Sequence, residues 1–192
     1  MIKQNHSGFS LIEVLVTIVI LLIGLLGLAG LQGRALTSQM ESYQRAQALV
    51  LLDDMADRIN TNRKNAASYV TATPLGTDGS IPAGCDAGGV CATTASTDLY
   101  AWHTALQGSS ETLSGNKVGA MIGARGCIYQ IAAPATGFAT AYSIVVSWQG
   151  LNNTYAPDTS TATSAGQCGN GQYTSETLHR VIALPVSVAD LL

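Results

Sequence analysis

Charge is scarce in this chain. Only 11% of its 192 residues are Asp, Glu, Lys or Arg, and lysine is confined to Lys3, Lys64 and Lys117. The formal net charge is −3, and from Ala66 onward three bases (Lys117, Arg125, Arg180) face seven acids. A segment of that sign offers no basic footprint for a phosphate backbone, so no nucleic-acid partner is expected. Proline is absent before Pro74, so nothing in the first third compels a helix to stop. No Cys-x-x-Cys occurs and the three histidines, His6, His103 and His179, are scattered, a pattern that does not suit zinc. Gly-x-Ser-x-Gly is also missing, and no glycine loop resembles a phosphate cradle. Neither an enzyme, a metal nor a cofactor is expected.

What is present is one long apolar run. From Val14 to Gly33 there are 20 residues without a charge. At ~1.5 Å rise each they span roughly 30 Å, one hydrocarbon thickness. A secretory signal has a shorter apolar stretch, usually ~7–15 residues, and a small-x-small cleavage site. Leu28-Ala29-Gly30 serves that purpose poorly. An ordinary membrane anchor has no use for the acid at its edge, Glu13. An ionised carboxylate at mid-bilayer is disfavoured by ~2.5–3.5 kcal/mol, and by less near the interface. Its natural partner is a positive charge at equal depth. A new amine made by cutting between Gly8 and Phe9 meets that requirement, most directly on a staggered neighbouring copy within a dry bundle.

The stretch Gly8-Phe9-Ser10-Leu11-Ile12-Glu13 resembles the signal of type IV prepilins and of type II secretion pseudopilins. The resemblance implies cutting by a prepilin peptidase between Gly8 and Phe9, methylation of the new amine on Phe9, and an intersubunit assembly role for Glu13. Residues 1–8 are then a leader, 9–33 a single-pass span of the inner membrane, 34–65 an amphipathic half-helix, and 66–192 a globular periplasmic domain that ends in an extracellular pilus. The run Ala48 to Arg63, with the Ile23–Gln32 segment and Gly126-Cys127-Ile128, is similar to the PilV-type minor pilins, the pilus modification proteins. That implies a subunit joining other minor pilins and the major pilin in a tip complex that primes fibre assembly for twitching motility and adhesion. A minor pseudopilin of type II secretion, or a pilus-borne adhesin, is the alternative.

The rest of the chain suits an α+β fold of that kind. One helix is expected from about Phe9 to about Asn65. Its second half carries a stripe at 3–4 spacing through Leu36, Met40, Tyr43, Ala46/Gln47 and Val50, widened by Leu49, Leu52, Met55, Ala56 and Ile59. Asp54 and Arg58 sit at a favourable i,i+4 spacing. Asp53, Asp54 and Asp57 do not suggest calcium, since adjacent helical residues point ~100° apart. Residues 66–120 are rich in turn formers, with a short helix near Thr97–Gln107. Strands are expected at Cys127–Ile131, Ala141–Trp148 and Thr177–Val188, giving a meander of three or four antiparallel strands across the helix. The Ser/Thr/Gly-rich segment 150–172 reads as a loop. Trp102 and Trp148 read as core. Four cysteines allow three pairings; Cys85–Cys91 closing a tight glycine loop and Cys127–Cys168 tying a strand to a late loop are preferred, with free thiols the alternative.

Overall fold

The computed structural model describes residues 8–108, 112–113, 116–117, 121–132 and 139–189. The elements run α1 (Leu11–Thr61), a 3-10 turn (Arg63–Tyr69), β1 (Leu75–Gly76), α2 (Thr94–Leu106), β2 (Thr112–Leu113), β3 (Asn116–Lys117), β4 (Ile122–Ala132), β5 (Thr140–Gln149), a 3-10 turn (Ala165–Gln167) and β6 (His179–Val188). The chain divides into two compact units at Met40/Glu41.

The first unit is helix alone. Every residue from 8 to 36 is exposed, including the large apolar ones from Phe9 to Leu36. Thr17 bonds its hydroxyl back to the Val14 carbonyl at 2.8 Å, and Thr37 to Gly33 at 3.0 Å, so these hydroxyls are satisfied without an outside partner.

The second unit is a four-stranded antiparallel sheet, order β1-β4-β5-β6, on one face of the remaining helix. Strand alternation sorts the sheet into two layers. Ala124, Ile128, Tyr142, Ile144, Val146, Trp148, Val186 and Val188 join Ala48, Leu51, Leu52, Met55 and Ile59 of α1 in the main core. Cys127, Val145 and Cys168 form a second cluster on the far face, joined by Tyr129, Ala165 and Val181. Both tryptophans are core, as their setting in sequence suggests. β6 runs through Pro185, which is tolerated because β6 lies at the sheet edge.

Two expectations are corrected. The buried row of α1 is Gln44, Ala48, Leu51, Leu52, Met55, Ala56 and Ile59, while Leu36, Met40, Tyr43, Leu49 and Val50 are exposed. The sheet packs on the row containing Ala48 and Ala56. The α-helix stops at Thr61, and a 3-10 turn carries the chain on to Tyr69. Segment 150–172 is irregular, as expected, apart from the 3-10 turn Ala165–Gln167. Gly166, Cys168 and Gly169 are buried, and the Cys127–Cys168 disulfide fixes it over the far face of the sheet. The Cys85–Cys91 disulfide closes the loop before α2.

α2 begins at Thr93, which shares a reciprocal capping box with Ser96. It places the Trp102 ring against Gly126 of β4, with the indole Nε1 donating to the Leu51 carbonyl at 3.0 Å. Arg58 bridges Asp54 (2.9 Å) and Asp98 (3.0 Å), and the Tyr69 hydroxyl donates to Asp98 at 2.5 Å while accepting from Asn62 at 3.1 Å. Burial opposes the Arg58 charge, but the two carboxylates outweigh it and raise the guanidinium pKa. Burial and then the Asp98 carboxylate push the Tyr69 phenol up to about 12.

Two consequences are measurable. A Cβ at Gly126 would land on the Trp102 ring and on Leu106. Gly126→Ala is therefore expected to destabilise the second unit by about 1–3 kcal/mol in chemical denaturation. Tyr69 is raised from 10.0 to about 12, so its contribution is complete below pH ~10 and is lost as pH climbs towards 12. Tyr129, Tyr142 and Tyr173 are raised too, all chiefly by burial. Melts between pH 9 and 12 should thus show a shallower alkaline decline in Tyr69→Phe than in the parent chain.

Candidate functional site

The site begins where the helix begins. Gly8, Phe9 and Ser10 precede the first helical residue, Leu11, and all three are exposed. The Ser10 carbonyl accepts from the amides of Glu13 (3.0 Å) and Val14 (3.3 Å), which starts the helical ladder. Phe9 is 84% exposed, so the Gly8–Phe9 bond is open to a protease.

Glu13 lies in the first turn of α1, where a negative charge complements the helix dipole. No described side chain pairs with its carboxylate. On the same stretch of helix Phe9, Leu11, Val14, Leu15, Ile18 and Val19 line a shallow apolar groove. The next charge along the chain is Arg34, ~30 Å further on as a helix rises. The arrangement is a lone acid at one end of an uncovered apolar helix. Chemically it can do one thing well, which is to meet a cation inside a low-dielectric bundle.

The prokaryotic N-terminal methylation motif matches residues 3–29, and the Tt1218-like family, described as type IV pilin Tt1218, matches residues 30–102. The chain is a type IV pilin-like protein. α1 is long and apolar enough to cross a membrane by length and composition. A pilin with this motif fits a membrane-anchored subunit, processed by a prepilin peptidase and assembled with other pilins. Pilins are structural proteins. No curated protein and no solved structure matches the chain.

Of the other residues singled out in sequence, Cys85, Cys91, Cys127 and Cys168 lie in the pilin's second unit, far down the chain from Glu13. Asp53 and Asp57 are exposed on α1, and Asp54 is committed to Arg58. Among the described residues no cluster of His, Cys, Asp or Glu has the form of a metal site.

Two polar centres had no signal in sequence. Glu41 accepts from the amides of Leu151 (3.1 Å) and Asn152 (3.0 Å) and lies 3.4 Å from Arg180. Burial works against its charge, but those amides and Arg180 win and hold the carboxyl below the usual glutamate value. His179 is fully buried, with Nδ1 at 2.8 Å from the Glu176 carboxylate and Nε2 at 3.0 Å from the Cys168 carbonyl. Both bonds fasten the disulfide-tied loop to β6. Partners separated by more than a hundred residues, or set in a loop, leave no periodic trace.

Proposed function

We propose that the chain is a minor type IV pilin of the PilV type. Prepilin peptidase cuts between Gly8 and Phe9, and the new amine of Phe9 is methylated. Residues 9–33 hold the chain in the inner membrane as a single span, with residues 66–192 in the periplasm. The subunit then joins other minor pilins and the major pilin in a tip complex that primes the fibre. In that complex Glu13 meets the processed amine of a neighbour. The observation that carries this reading is the first turn of α1: one acid, without a partner among the described residues, beside an open Gly8–Phe9 bond and ahead of an uncovered apolar helix.

The physical reason is desolvation. A carboxylate taken into oil alone costs several kcal/mol, and a cation at contact distance in the same dry bundle offsets that. The protein therefore tolerates Glu13 in the assembled state because a neighbour completes it. On this reading the acid also has a subunit on its distal side, and the chain sits below the outermost position of the tip.

Intact mass of the membrane-extracted protein is expected to show a chain beginning at Phe9, carrying one added methyl and two disulfides. An unprocessed start at Met1 refutes the cleavage assignment. Glu13→Ala is expected to insert in the membrane and melt like the parent, because no described side chain depends on Glu13, yet to fall at least severalfold in purified pili. Undiminished incorporation refutes the assembly role. Complementation of a deletion strain separates this reading from a type II secretion pseudopilin: rescue of twitching supports the pilin, rescue of enzyme secretion the pseudopilin.

A further inference from the structure

On the far face of the sheet, β4 buries a single guanidinium. The Arg125 side chain is 5% exposed. Its Nη1 donates to the Gly123 carbonyl at 2.9 Å, and its centre lies 5.1 Å from the Tyr173 ring centroid. Tyr173 is in turn pinned by its hydroxyl to Ser147 of β5 at 2.8 Å. The close packing there needs a glycine at 169, because φ is +82° and a Cβ would strike both the Ser147 and the Tyr173 hydroxyls. The cation is thus held rigidly by a strand, an aromatic ring and a disulfide-tied loop.

Its anionic partner is held quite differently. Asp78 reaches Arg125 Nη2 at 3.0 Å, but the Asp78 side chain is 78% exposed. It stands on a turn with φ +56°, the left-handed region that non-glycine residues seldom occupy. An ion pair with one partner in solvent and on a strained turn is weakly held. The pair borders a cleft of about 420 Å³ between the 76–80 turn and the 167–172 loop. That volume lies within the usual range of small-molecule sites, ~300–1,000 Å³. Thr73, Thr77, Ser80, Asn170 and Gln172 contribute neutral hydroxyls and amides to its lining, and among the described residues Arg125 and Asp78 are the charged ones that line it.

We propose that this cleft binds an acidic sugar, a hexuronate, whose carboxylate takes the place of Asp78 on Arg125. A guanidinium presents five donors in a planar fork, and a ligand carboxylate can take two of them in parallel. The neutral lining selects the rest of the ligand. An apolar acid would leave the hydroxyls and amides unpaired, which weakens binding, whereas a ring bearing several hydroxyls satisfies them. Asp78 occupies the site in the free protein and swings into solvent when the ligand arrives. The proposal concerns the single chain and is independent of its place in a pilus.

The test uses the full chain in detergent, titrated with D-glucuronate, with D-glucose and with acetate, and read by saturation-transfer NMR. Glucuronate is expected to bind, glucose to give no transfer, and acetate to bind at least tenfold more weakly. Asp78→Asn removes the internal competitor and is expected to tighten glucuronate about tenfold, while Arg125→Gln abolishes binding. If Arg125→Gln does not fold, the comparison of the parent with Asp78→Asn decides. Absence of glucuronate binding in both, equal binding of glucose or acetate, or a lowered melting temperature in Asp78→Asn with unchanged affinity each overturns the proposal and leaves a structural ion pair.

Discussion

The structure depends on an apolar helix that its own chain does not cover. From Phe9 to Leu36 no side chain is buried, so the hydrophobic effect that folds the second unit is left unspent in the first. Lipid or the helices of other subunits must take up that surface. Either medium has a low dielectric, and each makes the single acid at its edge conspicuous. A type IV pilin-like chain reconciles these facts, since its helix passes from one apolar medium to another. In the proposed assembly the carboxylate distinguishes the two, for a neighbouring subunit offers it a fixed cation that lipid does not.

The second unit folds on different terms. Its sheet is sandwiched between the amphipathic part of α1 with α2 on one side and the 150–178 segment on the other. The first side is closed by shape, with Trp102 lying on the bare backbone of Gly126. The second side is closed by a covalent and polar set: the Cys127–Cys168 disulfide, Tyr173 on Ser147, and His179 between Glu176 and Cys168. A segment so rich in Ser, Thr and Gly cannot bury enough apolar surface to hold itself down. The disulfide and the buried histidine do that instead.

Much of this was legible from residue order alone. The apolar run, the acid before it, the three long strands and the α+β class all follow from length and periodicity. The rest failed for identifiable reasons. On α1 the eye follows Tyr43 and Val50, yet these are exposed while Gln44 and Ala48 are buried, because burial follows the row turned to the rest of the second unit and not the greasiest row. The 150–172 segment has loop composition, and the two cysteines give its tie to a strand but not the burial of Gly166 and Gly169 that comes with it. The pairings of Glu41 with Asn152, Arg58 with Asp98 and Arg125 with Asp78 span 111, 40 and 47 positions, distances over which no local pattern operates.

The two faces of β4 show how assembly and recognition are kept apart. Gly126 points towards α2 and the helix, while its neighbours Arg125 and Cys127 point to the covering segment, as the pleat requires. The pilin family match, 30–102, takes in α1 from Gly30 onward, the 3-10 turn, β1 and most of α2. It ends before β4, β5, β6 and the tied segment. Substitutions on the far face meet only the second, smaller cluster and leave the Trp102–Gly126 contact untouched. That layer is therefore the part of the molecule whose surface chemistry can vary while the helix side keeps its packing, and it is the layer that carries the buried guanidinium.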